Sequence, residues 1–556
     1  MTHFRSQLVD LHQRRIFAAE VHVSDGTIQS IEPLPDNEQP NGQPDENFLM
    51  PGFVDAHVHV ESSMVPPAEF GRVAVCHGTV ATVSDPHEIA NVLGEEGLEF
   101  MLEDAARGCL PIFFGVPSCV PATDFETSGA CLNSDTVERL LRDERFYYLS
   151  EMMNWPGVLN EHPEVMAKIS AAHRFGKPVD GHAPGLRGQD AARYAGAGIT
   201  TDHECFTLAE ARDKAAVGMH ILIREGSAAR NLDAVWPILL EHPELTMFST
   251  DDAHLDDLLQ GHLNRMVARC IAYGADLFDV LRAACINPVQ HYGLPVGQLR
   301  VGDRADFIRV HDLVDFRVQE TWIKGERVAR NGKCSFPHHK TATPNRFRQA
   351  RFTPDDFRID SDHHDSQVTV RVIVAEDGEL VTKETHTALV PTKNILEPDP
   401  ISDTLLLTVC NRYADAPPAI AFVTGFELNR GAIASSIAHD SHQVIAVGAS
   451  RKDISQAINA IFEAQGGMTA IVDNRIETLS LPIAGLMSNM PAHEVANRYQ
   501  TLTGLAHQLG SNLRAPYMTL AFMALLVIPE LKLSDRGLFD SRSFCFTPVK
   551  LPNAKS

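Results

Sequence analysis

Between residues 50 and 290 the sequence repeats one alternation eight times: a short apolar run, then in most cases a stretch with helical spacing. The runs are FVDAHVHV, TVATVSDPHE, PIFFGV, YYLSEMMN, PVDGHA, ITTDHE, MHILIRE and LTMFSTDD, with helical stretches such as 207–217 and 276–285 between them. Eight strand signals alternating with helices favour a closed parallel barrel over a split sheet. The expected fold is therefore α/β, with a (β/α)8 TIM-like barrel over residues 50–298.

The flanking sequence does not follow this alternation. Residues 18–33 alternate in polarity and turn at Asp25-Gly26, as a β-hairpin does. A polar loop follows over 35–47. Residues 299–333 become strand-like again, so 1–49 and 299–335 are expected to form one small β-domain. A polar, Pro- and His-containing stretch over 336–365 reads as a linker. Residues 366–556 are expected to form a separate C-terminal α+β domain. The apolar run Met518–Ile528 is too short to cross a bilayer and reads as a buried helix.

In a parallel barrel the chemistry sits where the strands end. The strand candidates here end on His57 and His59, on Asp85, His87 and Glu88, on Glu151, on His182, on His203 and Glu204, and on Asp251 and Asp252. Buried charges cost several kcal/mol unless paired or metal-bound, so this many ionisable groups cannot all be core filler. His57-x-His59 is the strongest local signal, because positions i and i+2 of a strand point to one face. Val54, Ala56, Val58 and Val60 then face the helices. A lone His-x-His is more often a hydrogen-bonded pair. Four further ligand-type residues at later strand ends turn the reading towards a metal. Glu151 can bridge two cations, and His182 and His203 can each complete one. Asp251 can ligate and accept a proton, although Asp251 and Asp252 also fit a helix N-cap pair. Such a centre brings the pKa of bound water to about 7. The expected chemistry is attack on an electrophilic carbon by a metal-bridged hydroxide, with a carboxylate or imidazole relaying the proton to the leaving nitrogen. Mixed His and carboxylate ligation suits manganese, iron or zinc.

Composition narrows the substrate. A net charge of −24 opposes a nucleic-acid or anionic-membrane partner and favours a small neutral or cationic molecule. The ten cysteines are scattered, with no paired C-x-x-C spacing, as expected of reduced thiols in a cytoplasm. The N-terminal segment has no apolar run of the signal-peptide kind. No Walker-type cradle occurs, although Gly181, Gly185 and Gly188 cluster, and this argues against a nucleotide substrate.

These residues resemble the amidohydrolase superfamily and, within it, the bacterial adenine deaminase family. The resembling blocks are PGFVDAHVHVESSM (51–64), HGTVATVSDPHEIANVLG (77–94), EMMNWPGV (151–158), GHAPGLRGQDAARYAGAGITTDHE (181–204), STDDAHLDDLLQGHLNR (249–265), AIASSIAHDSHQVIAVG (432–448) and IPELKLSDRGLFD (528–540). The resemblance implies metal ligation by His57, His59, Glu151, His182, His203 and Asp251. It further implies two divalent ions, manganese or iron with zinc as a further option, and conversion of adenine to hypoxanthine and ammonia in purine salvage. It places Asp85-Pro86-His87-Glu88 on the purine or proton-relay side, where His87 and Glu88 otherwise read as a helix start. Mononuclear adenosine and cytosine deaminases carry a Glu three residues after the strand-five His. Gly185 stands there in this chain, so Glu88 or Glu204 is expected to protonate the ring. Catalytic roles are thus expected for Asp251, Glu88, His87 and Glu204. Substrate contacts are expected from Asp85, Asp252 and, if the C-terminal domain closes over the barrel, Asp440 or His442. A capped surface loop is the other reading of 438–442. A homo-oligomer is expected. Alternative activities are deamination of an N6-substituted adenine or hydrolysis of a cyclic amide. A non-catalytic scaffold would be expected to have lost ligands, and all six positions are filled.

Overall fold

Eight parallel strands surround the centre of the molecule: Phe53–Val58, Thr79–Ser84, Ile112–Val116, Phe146–Met152, Val179–Gly181, Thr201–Asp202, His220–Arg224 and Thr246–Ser249. The computed structural model describes residues 2–35, 47–227, 229–362, 366–473 and 475–552. The first five strands form one sheet and the last three another. Parallel bridges Val179–Ile199 and Val58–Asp251 join the two sheets into a ring. At the closing seam the Asp251 amide donates to His57 O at 3.0 Å and the His59 amide to Asp251 O at 3.3 Å. All eight strands coincide with the expected runs. Apart from the half-buried Ile112 and Tyr147, their Val, Ile, Phe and Tyr side chains are buried on both faces, as in a barrel covered by helices.

The helices between them carry ordinary start signals. Asp276 caps Leu277–Cys285 by accepting from the Phe278 and Asp279 amides, and Thr207 caps Leu208–Ala215 through the Glu210 amide. The first strand is shorter than its alternation suggests. It ends at Val58, and Val60 already lies in the 3-10 turn Val60–Ser63 rather than facing the helices. The Asp251-Asp252 pair caps no helix, since the next one, Leu255–Leu258, has His254 at its N-cap.

A second sheet of eight strands combines Thr2–Asp10, Arg15–Ser24, Thr27–Pro33 and Phe48–Pro51 with Phe307–Val310, Val318–Ile323, Glu326–Arg330 and Lys333–Cys334. The Asp25-Gly26 turn lies between its second and third strands, with Gly26 at φ 72°. The loop expected over 35–47 falls almost wholly outside the described residues. Residues 336–362 are irregular apart from the turn Pro354–Phe357 and the short strand Ile359–Asp360.

A third sheet, again of eight strands, is built from residues 368–480, with the helix Arg451–Ala464 packed on one face. Its other face shares one continuous core with the barrel, from Phe53 and Phe146 to Ile433 and Leu481. The apolar run 518–528 is buried, but only Pro516–Phe522 is helical. Beyond Phe522 the chain turns because its carbonyls are claimed from outside. Leu533 N donates to Met523 O at 2.9 Å, and the buried Lys532 ammonium donates to Phe522 O and Leu380 O. Among the described residues no helix is long and apolar enough to cross a membrane.

Candidate metal centre

Each of the six expected ligands is buried at the end of a barrel strand, and the ring brings them together. Strand one presents His57 and His59 on one face, with their Nε2 atoms 3.2 Å apart. Both face Asp251 Oδ1, at 3.3 and 3.2 Å. Strand four presents Glu151 between two groups. Its Oε1 is 3.3 Å from His59 Nε2, while its Oε2 is 2.7 Å from His182 Nδ1 and 3.2 Å from His203 Nε2. The sets His57, His59, Asp251 and His57, Glu151, His203 each converge to within 4.8 Å. Two imidazole nitrogens at 3.2 Å can share at most one proton, so one lone pair remains aimed at the centre. Converging nitrogen lone pairs and carboxylate oxygens are the donor set that a divalent cation takes. The residues present therefore fit the metals that the sequence implies.

The electrostatics are strongly coupled. Burial alone would push the Glu151 carboxyl up, but the facing His182, His203 and His59 rings hold it well below the usual range. Burial likewise opposes ionised Asp251, yet Arg224, His57 and His59 hold its carboxyl far down. His182 is lowered by burial and raised more by Glu204 and Glu151, reaching about 9. Asp251 sits at φ 50°, in the left-handed region that disfavours side chains. Its amide and carbonyl are both tied to strand one, which holds that conformation.

Around this core the structure separates the remaining expected residues. Asp85 accepts from the His87 amide at 3.1 Å, and its free oxygen lies 3.2 Å from His87 Nδ1. His87 also lies 3.4 Å from Glu151 Oε1 and 3.5 Å from Asp440 Oδ1, so it spans the barrel and the C-terminal region. His87 and Asp85 converge with His59 and Glu151 closely enough to reach the same cation. Glu88 stands behind the chamber and accepts from Ser62 Oγ at 2.8 Å, while the same hydroxyl is 2.6 Å from Asp252. Burial raises the Glu88 carboxyl above its ordinary range. Glu204 is ion-paired with the Arg224 guanidinium, which also reaches Asp251 Oδ2 at 2.9 Å.

The block 438–442 is buried and is not a surface loop. Asp440 lines the chamber beside His439, whereas His442 does not and lies 3.9 Å from Glu88. His439 stacks on Phe522 at 4.6 Å with 6° between the planes. With Leu380 and Leu525 this pair roofs the chamber. His439 falls in the block 438–442 that was expected to close over the barrel, but sequence reasoning missed Arg224, Ser62 and the apolar roof residues Phe522, Leu525 and Leu380. Of these Arg224 left the clearest signal, as the charge near the end of the seventh run, MHILIRE.

Comparison with known proteins agrees with this architecture. The profile of the Amidohydrolase family matches residues 48–328, and that of the Adenine deaminase C-terminal domain matches 379–545. An adenine deaminase of Sulfurovum sp. (strain NBC37-1) is 52% identical over 98% of both chains. One of Methanosarcina mazei is 49% identical over 99% of both. One of Borreliella burgdorferi is 42% identical over 97% of this chain and 98% of its own.

Proposed function

The chain belongs to the adenine deaminase family, and from that premise we propose how its buried centre converts adenine to hypoxanthine and ammonia by hydrolysis. The observation that carries the proposal is Glu151, whose two oxygens face two separate groups of imidazoles. A carboxylate so placed suits two divalent cations, manganese or iron with zinc as the alternative. His57, His59 and Asp251 would hold one and His182 and His203 the other, with Glu151 within reach of both groups. Bound there, divalent cations supply Lewis acidity that makes water nucleophilic near neutral pH.

The remaining steps belong to side chains. Asp251 keeps one oxygen towards the centre while Arg224 neutralises the other, so it can take the proton of the attacking water and pass it to the leaving amine. Glu204, in its ion pair with Arg224, is suited to balancing charge rather than to donating a proton. That leaves Glu88 to supply the ring proton. Burial raises its carboxyl above the ordinary range, and Ser62 Oγ, within hydrogen-bond distance of both, links it to Asp252, which lines the chamber. His87 and Asp440 together tie the roof to the barrel floor. His439, Phe522, Leu525 and Leu380 exclude bulk water, which strengthens every charge interaction inside.

Ammonia release from adenine tests the reading, with enzyme stripped of metal and then reloaded with manganese. Activity that returns in proportion to bound metal, approaching two ions per chain, supports it. Full activity in a metal-free preparation, or a plateau well below two ions, would end it.

A further inference from the structure

The chamber in which the reactive groups converge is a cavity of about 30 Å³, room for roughly two waters. A bicyclic base does not fit there as the side chains stand. Immediately beside it is a cavity of about 410 Å³, within the range of roughly 300–1,000 Å³ usual for small-molecule sites. The two share one lining residue, Met153, which follows directly on strand four and its Glu151–Met152 end. The rest of the partition is the turn after Pro516–Phe522, where Leu525 lines the chamber and Val527 the larger cavity. Met is unbranched and adaptable, well suited to a side chain that must swing aside.

The larger cavity lies between the barrel and the C-terminal end of the chain. Phe125 comes from the segment after strand three, Trp155 from the one after strand four, and Phe544 and Arg542 from the terminal hairpin. Phe544 is 46% exposed and is held at φ 54°, a conformation rare for a bulky residue. The Phe125 and Phe544 rings are 5.5 Å apart. Arg542 is engaged by Asp540, Glu384 and Glu530, so the cavity offers aromatic faces without a free phosphate-binding charge. These two rings pack edge to face, with 86° between their planes, and form one aromatic wall of the cavity, against which a flat, neutral heterocycle can stack from the open side.

We propose that this cavity is an antechamber that stacks the purine base on Phe125, Trp155 and Phe544 before it passes Met153 into the reaction chamber. The proposal rests on the adenine reading of the centre. It assigns a second, non-catalytic purine site that also gives the product a way out.

Trp155→Ala and Phe544→Ser test it, the latter at a half-exposed position. Each should lower kcat/KM for adenine by roughly tenfold, with the loss in KM and not in kcat, the effect of one lost base–aromatic stack. Trp155→Phe should restore it to within a few fold. The probe is 9-benzyladenine, which is too large for the chamber. It should inhibit competitively, quench Trp155 fluorescence in the wild type, and still inhibit Trp155→Phe, where that quenching is gone. Unchanged kcat/KM in both truncations, or equal inhibition of wild type and Trp155→Ala, would overturn the antechamber. Absence of ammonia release by the metal-loaded wild type would instead overturn the adenine reading, while fluorescence still reads the antechamber without turnover.

Discussion

The Arg224 guanidinium lies fully buried at the end of strand seven, between the Glu204 carboxylate and Asp251 Oδ2. Desolvation opposes a buried cation, and its two anionic partners offset that cost. Arg224→Met would leave two carboxylates facing each other with no cation between them. Removing one member of a buried pair costs about 3–5 kcal/mol. Loss of a group that orients a metal ligand typically costs roughly 10- to 100-fold in activity or metal affinity. The expected result is a lower melting midpoint of the manganese-loaded enzyme and kcat/KM reduced on that scale. Arg224→Lys should recover part of the stability and less of the activity, since an ammonium cannot reproduce the Nη1 and Nη2 pair on Glu204 that the planar fork makes while Nη1 also reaches Asp251. Wild-type midpoint and kcat/KM in Arg224→Met would refute this role. The contrast with His57, His59 and Glu151 shows what is legible at this scale. Those residues follow from a period of two and from the position of a strand end, both local properties of the sequence. Arg224 finds Glu204 and Asp251 only once strands six, seven and eight stand side by side. The pairing of Ser62 with Glu88 and Asp252 is hidden for the same reason.

The segment between strand three and the helix Ser134–Leu141 reaches across to the C-terminal region and fixes the roof. Thr127 N donates to Asp535 at 2.9 Å, and Arg536 donates to Asp124 O at 2.7 Å. Within the segment Glu126 is buried beside Thr123 and Ser441. Burial, helped by the Asp440 and Asp535 charges, pushes its carboxyl up to about 8. A carboxyl raised on folding stabilises the native state while it stays protonated. That contribution is complete below about pH 4.5 and is lost as pH climbs through 8. Glu126→Gln keeps the shape and removes the titration. Between pH 6 and 9 the wild-type midpoint should therefore fall further than that of Glu126→Gln, leaving the variant the more stable at pH 9. Parallel curves measured by thermal denaturation would show that Glu126 does not titrate in this range. Elements with strong periodicity, such as the eight barrel runs and the Asp25-Gly26 hairpin, were legible because local propensity and tertiary position agree there. The run 518–528 was not. Its uniform apolarity suits helix and turn equally, and the turn is imposed by Lys532 and Leu533 taking the Phe522 and Met523 carbonyls.

At the scale of the whole molecule, the active centre is completed by parts that the chain supplies more than 400 residues apart, since His57 and Phe522 belong to one site. The apolar core runs without a break from the barrel strands into the third sheet. Further bonds cross the same boundary, among them Ser488 N to Met64 O at 2.8 Å and Ala492 N to Glu69 at 2.8 Å. Exposing the roof face alone would leave a large apolar surface in water, so the barrel and third sheet should not melt separately. The proposed ligands come from strands one, four, five, six and eight, so cations bound there would tie most of the ring together. A ligand that binds only the folded state stabilises it by about 2.7 kcal/mol at a hundredfold excess over Kd. Calorimetry of the metal-loaded enzyme should therefore give one principal transition. Chelation should move that transition to lower temperature without splitting it, and manganese should restore it. The outcome that would count against this is a chelated enzyme melting in two steps, one of them at the original temperature. It would mean that the third sheet holds its fold without the barrel, and that the roof over the centre is a docked cover rather than part of a shared core.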